Sequence, residues 1–271
     1  MLWIFLAVVL ARGEEQESAA QGFPEDFNPG EVYFFDAPLN RSQQAQARTF
    51  GNPKVDFAKC AIVVPEDFDP ARHWTIILVH TTRDLHASNL VSLYDYIEPA
   101  MLAGCLVLAS DGPTRPERDS IYWRWAMKGA SLDYLHSLWP NSRGWTIIPS
   151  GYSGGAKMAA QYAAILMGTG YDIGGVYMGG CNEDFASPNR RRARKQKDAF
   201  LNVPMFLCLG EQDRIAMPEQ VYAVGERLRN TGFRQVRIET HPGGHLFQKT
   251  TFALALDWFK ELHHDEKNGG E

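Results

Sequence analysis

The sequence predicts an α/β fold: a mostly parallel central sheet flanked by helices on both faces, with no large lid domain. Three observations carry this. From Lys54 onward, short apolar runs alternate with longer helical patterns, the arrangement that builds a parallel sheet. One of these runs, Thr146 to Pro149, leads straight into a G-x-S-x-G turn and then an Ala-rich helix. The chain has 271 residues, 45% of them hydrophobic and 12% aromatic, enough to bury one large core, and α/β folds of this length are commonly one domain.

Taken in order, residues 1–13 read as a secretory signal. The apolar run Leu2 to Leu10 is too short to span a bilayer, and Ala11 and Gly13 are small residues suited to cleavage after Gly13. Only the amino terminus supplies positive charge ahead of the run, and a buried N-terminal segment is the alternative. Export to the periplasm or beyond is therefore expected, with no stable membrane insertion after cleavage. Residues 14–50, rich in Glu, Gln, Ala, Pro and Asn, read as an arm with one strand-like patch at Val32 to Phe35.

Residues 51–264 are expected to form the catalytic domain. Its strands are read at 57–64, 75–80, 106–110, 145–149, 175–178, 203–209 and 235–240. Helices are read near 88–102, 129–139, 156–167 and 218–231, and from about Gln248 to His263. The stretch Asp111 to Lys128 reads as irregular, and residues 265–271 as a polar tail. In such a sheet, ligands lie beyond the carboxyl ends of the strands.

The turn Gly151-Tyr152-Ser153-Gly154-Gly155 is a nucleophile elbow. Glycines at 151 and 155 remove the Cβ atoms that would collide where strand and helix approach. The helix that follows directs its first free N–H groups, beginning with that of Gly154, at the place where a carbonyl oxygen becomes negative. Tyr152, beside the nucleophile, is assigned to substrate binding.

A serine hydroxyl needs a base to accept its proton and an acid to orient that base, and after this elbow the chain order is Ser, acid, His. Asp213 follows the apolar strand ending at Gly210 and is the leading acid. Glu211 is the fallback, with Glu183 and Asp184 more remote. For the base, His241 and His245 compete at the end of the 235–240 strand, and His245 is favoured because Gly243-Gly244 lets the loop turn it inward. His73, His86, His136, His263 and His264 read as surface or packing residues.

Tyr122, Trp123 and Trp125 fall in the irregular stretch at the same sheet edge. They read either as an aromatic wall for a sugar or phenolic ring or as anchors of the loop on the core. Cys60, Cys105, Cys181 and Cys208 show no C-x-x-C and no Cys/His cluster, so neither a metal site nor a redox motif is expected. They read as buried small hydrophobes, although export would permit a disulfide. A net charge of -5 gives no basic field, and nucleic acid is excluded as an expected partner. The basic run Arg190 to Lys197 reads as a solvated face, with attraction of an anionic polymer or membrane surface as the other reading.

The strand Trp74 to His80 followed by Thr81-Thr82, together with the elbow, resembles the α/β-hydrolase superfamily. Members carry His-Gly-X here and donate the N–H of X to the oxyanion. The resemblance implies Thr82 as second donor, with Thr81 standing where the family has glycine. The stretch Ala61 to Pro70, the Ile-rich strand and Gly-Tyr-Ser-Gly-Gly-Ala are similar to secreted feruloyl esterases and polyhydroxybutyrate depolymerases over roughly residues 55 to 262. That resemblance implies cofactor-free hydrolysis of a small-molecule or polymer ester. A prolyl-oligopeptidase-type peptidase and a non-catalytic binding protein on the same fold are the rivals.

Overall fold

The computed structural model describes residues 22–23, 26–50, 55–83 and 86–268, and the leader expected at 1–13 lies outside them. Among the described residues nine strands form one sheet: β1 (Tyr33–Pro38), β2 (Phe57–Val63), β3 (Thr75–His80), β4 (Leu106–Asp111), β5 (Thr146–Tyr152), β6 (Asp172–Ile173), β7 (Val176–Gly179), β8 (Met205–Gly210) and β9 (Val236–His241). The helices are α1 (Arg41–Phe50), α2 (Asn89–Leu102), α3 (Ile121–Leu138), α4 (Gly154–Gly168), α5 (Ala186–Asn189), α6 (Pro218–Thr231) and α7 (Lys249–Asn268). The strand order is β1-β2-β4-β3-β5-β7-β8-β9, with β6 beside β5. β1 and β2 pair antiparallel with each other, β2 pairs antiparallel with β4, and every other pairing is parallel.

Alternation along the central strands divides the core between two faces, because successive side chains point to opposite sides of a strand. Ile76, Leu78, Leu106 and Leu108 pack with α3, α4 and α6 through Leu135, Ala159 and Val224. Ile77, Val79, Val107 and Ala109 pack on the other face with α2 and α7 through Leu93 and Phe252. Both faces are covered, so these strands read as continuous apolar runs. No helix of the described residues is long and apolar enough to cross a membrane.

Two segments differ from their sequence reading. In the residues read as an arm, the strand-like patch at Val32 to Phe35 overlaps β1, an edge strand against β2, but the chain then forms α1 where no helix is read, and Gln43 of α1 bonds Asp133 of α3 through Nε2 at 2.9 Å. The stretch read as an irregular loop to Lys128 is already helical from Ile121: Ser120 caps α3, its Oγ accepting the Trp123 N–H at 3.1 Å.

All four cysteines are buried free thiols. Burial pushes the Cys181 thiol up to about 12, and its Sγ donates to the Glu183 carbonyl at 3.2 Å, so it packs rather than reacts.

Candidate active site

The central strands end together at one edge, and there the elbow is built. Ser153 joins β5 to α4 with φ 57° and ψ -124°, a left-handed conformation costly for a residue with a Cβ. Its N–H donates to the Gly179 carbonyl at 2.7 Å, which ties the turn to β7. The flanking glycines are sterically required: a Cβ on Gly151 would lie 2.2 Å from the Gly155 carbonyl, and one on Gly155 would lie 2.3 Å from the His80 carbonyl oxygen. Close approach of β5, α4 and the end of β3 therefore sets where the Ser153 side chain stands.

Asp213 follows β8 and is 3% exposed. Its Oδ1 accepts the N–H groups of Ile215 (2.8 Å) and Ala216 (2.9 Å), and its Oδ2 accepts His245 Nδ1–H at 2.7 Å. Burial alone would raise this carboxyl. The His245 hydrogen bond and the two backbone donors outweigh burial and hold it below the usual carboxylate range. An ionised Asp213 fixes the imidazole with Nδ1 protonated, leaving Nε2 as the acceptor. That Nε2 is buried without a hydrogen-bond partner among the described residues.

The loop carrying His245 is docked on the one carrying Asp213. Glu211 N–H donates to the His241 carbonyl at 2.9 Å and Gln212 N–H to the Gly243 carbonyl at 2.8 Å. Gly243 adopts φ 103°, and a Cβ on Gly210 would meet the Gly244 carbonyl oxygen at 2.3 Å, so glycines are needed on both sides of this junction. Of the competing residues, Glu211 is exposed and the others are engaged elsewhere. His241 is buried with Nδ1 on the Pro242 carbonyl, Glu183 pairs with Lys157, and Asp184 caps the chain at Ala186 and Ser187.

Thr82 lies beside the helix start: a Cβ on Gly154 would come within 2.7 Å of Thr82 Cγ2. The strand end leading to it is held by three buried polar side chains that sequence reasoning did not single out. Lys128 Nζ donates to the Val79 carbonyl at 2.7 Å, Asn89 Oδ1 accepts the Thr81 N–H at 2.9 Å, and Arg124 Nη2 donates to the Thr82 carbonyl at 3.1 Å. Arg124 is itself gripped by Asp119 through contacts of 2.7 and 2.6 Å, and Asn89 by Asp111 at 2.6 Å. Burial lowers Lys128 to about 7, with Asp111 opposing the fall and Arg124 adding to it. His80 stacks on Tyr162 at 4.8 Å, and its pKa is pulled well below the ordinary imidazole range by burial, with the Lys128 and Arg124 cations adding to the fall.

Of the two readings of the aromatic stretch, a wall for substrate or anchors on the core, Trp123 takes the second. Trp123 is 4% exposed, its ring pressed against Gly112, so it anchors α3 on the core rather than forming a wall. Trp125 stacks on Tyr162 at 5.7 Å, and Tyr122 lies under the Arg192 guanidinium at 5.9 Å. The cause is the helix: with one residue every 100° or so, Trp123 turns into the core while Tyr122 and Trp125, three residues apart, share another face, so the three do not line one rim. Tyr152 stays in the site, its ring between the backbone of Gly179 and Gly180 and the His245 imidazole, 5.0 Å from the latter.

No protein-family model and no curated protein matches this chain. Solved structures do. A hyperthermophilic esterase from the archaeon Pyrobaculum calidifontis aligns with TM-score 0.59 at 13% identity, over 88% of this chain and 85% of that one. FphF, a fluorophosphonate-binding serine hydrolase of Staphylococcus aureus, aligns with TM-score 0.57 at 13% identity, over 86% and 99%. An alpha-beta serine hydrolase homologue from Coxiella burnetii aligns with TM-score 0.50 at 16% identity, over 74% and 90%. The chain has the α/β-hydrolase fold.

Proposed function

We propose that this protein hydrolyses carboxylic esters through Ser153, His245 and Asp213 and an acyl-enzyme intermediate. The observation that carries the reading is the His245 to Asp213 bond of 2.7 Å, at the same sheet edge as a serine held at φ 57°. The fold shared with esterases and serine hydrolases supports it. Ser153 Oγ attacks the ester carbonyl while His245 Nε2 takes its proton. Asp213 stabilises the imidazolium that forms, and the N–H groups of Gly154 and Thr82 bind the oxyanion. The imidazolium then protonates the leaving alcohol. Water repeats the sequence with Nε2 as base, which releases the acid and restores Ser153.

The likeness to feruloyl esterases and polyhydroxybutyrate depolymerases, and export by the leader at 1–13, enter this reading from the sequence alone. A screen over p-nitrophenyl acyl esters, methyl ferulate, acetylated xylan and a polyester film tests it, with His245→Ala, His241→Ala and Asp213→Asn alongside the wild type. The expected result is ester turnover that is lost in His245→Ala, reduced in Asp213→Asn and kept in His241→Ala. Turnover lost in His241→Ala but kept in His245→Ala would move the base to His241.

A further inference from the structure

The basic run Arg190 to Lys197, which the reaction does not use, is built into a cavity. It begins as a 3-10 helix, Arg190–Gln196, interrupted where Arg194 adopts φ 55° and ψ -120°. The run is anchored at its start and at its middle. Arg190 pairs with Asp198, and Ala193 is fully buried. The backbone at Arg192 lies so close to the end of α4 that a Cβ on Gly168 would sit 2.1 Å from its carbonyl oxygen.

So anchored, Arg191, Arg192 and Arg194 line a cavity of about 290 Å³ together with Tyr122, Trp125 and Gln46. Among the described residues no carboxylate lines it. Arg192 is oriented by the Asn189 Oδ1, which accepts its Nε–H at 2.6 Å, and its guanidinium lies over the Tyr122 ring at 5.9 Å. Arg191 and Arg194 form no ion pair among the described residues. Three like charges lining one concavity give it a positive potential that an anion seated there relieves. Guanidinium forks match a carboxylate bidentately, while the Tyr and Trp faces take a flat apolar body. The volume is at the small end of ligand sites, which suits one ring rather than a polymer segment.

We propose that this cavity is a binding site for a carboxylate carried on a six-membered ring. It touches Ile165 and Thr169, so it lies toward the far end of α4, roughly 18 Å along the helix from Ser153 at 1.5 Å per residue. Binding there is separate from the reacting centre and does not depend on the ester reading.

The test is calorimetric titration of the full chain at fixed ionic strength with benzoate, galacturonate, benzamide and sulfate, repeated on Arg191→Gln/Arg194→Gln. Both arginines are exposed, so the double variant keeps the wild-type melting temperature. Saturable binding of benzoate or galacturonate, weakened at least tenfold in the double variant and absent for benzamide, supports the site. Whichever of the two binds more tightly identifies the source as an aromatic acid or a uronic acid. Equal affinity for sulfate would overturn the ring and leave a counterion patch. Binding unchanged in the double variant, or no binding of either acid below about 10 mM, about 2.7 kcal/mol on the affinity scale, would overturn the proposal.

Discussion

Replacing Arg124 by Met separates two consequences of one buried guanidinium. The side chains of Arg124 and Asp119 are 4% and 7% exposed, and two contacts of 2.7 and 2.6 Å join them. Removing the cation leaves Asp119 buried without its counterion, a change that costs about 3–5 kcal/mol when one member of a buried pair is deleted. The same substitution takes the donor from the Thr82 carbonyl, and the peptide beside Gly154 loses its brace. Losing one oxyanion donor outright costs about 100- to 1,000-fold in kcat, so a loosened donor is expected to cost roughly tenfold, with KM little changed. The double variant Asp119→Asn/Arg124→Met removes the stranded charge. Urea unfolding should show most of the stability returning in the double variant, while p-nitrophenyl acetate turnover stays at the single variant's kcat. A loss below about 1 kcal/mol in the single variant would show the pair to be solvated in practice, contrary to its burial. A kcat that recovers together with stability would refute the bracing of Thr82.

Three further outcomes follow from the same geometry. Gly155→Ala, whose Cβ would lie 2.3 Å from the His80 carbonyl oxygen, should lose about 1–3 kcal/mol to overpacking and most of its ester turnover; unfolding and activity measured on one preparation check this. Lys128 binds its proton less tightly when folded, its pKa lowered to about 7, so between there and the unfolded value near 10.4 the unfolded chain holds more protons and stability from this group rises with pH. Lys128→Met should therefore flatten the unfolding free energy against pH from 7.5 to 9.5 by up to about 1.4 kcal/mol per pH unit relative to wild type, and parallel curves would contradict the lowered pKa of Lys128 by showing that it stays an ammonium in the folded chain. Trp123→Ala should cost about 3–5 kcal/mol and change kcat/KM by the same factor on p-nitrophenyl acetate and methyl ferulate, whereas a loss confined to the ferulate would return the ring to the substrate.

What the sequence carried, and what it hid, divides by how local the cause is. The elbow was legible because its glycines answer a collision between adjacent elements, Gly151 against Gly155, four residues apart. Asp213 and His245 were legible as the carboxylate and imidazole just past β8 and β9. The start of α3 was hidden because Arg124 and Lys128, one helical turn apart, are both buried and break the apolar period that marks a helix. Its cap at Ser120 was the available signal. α1 was hidden because Gln43 and Gln44 make it look like polar linker, although Gln43 and Ala47 are buried against the domain. The brace on Thr82 was invisible for a third reason: Lys128 meets Val79 across 49 residues and Arg124 meets Thr82 across 42, contacts that only the folded chain creates.

The central claim is that Ser153 is a nucleophile activated by His245. Reaction of the purified chain with a fluorophosphonate probe, followed by peptide mapping, tests it most directly. The account predicts stoichiometric modification of the peptide containing Ser153, absent in Ser153→Ala and slowed at least a hundredfold in His245→Ala, in variants that melt like the wild type. Labelling that persists in Ser153→Ala, or a folded wild type that stays unmodified, would contradict it.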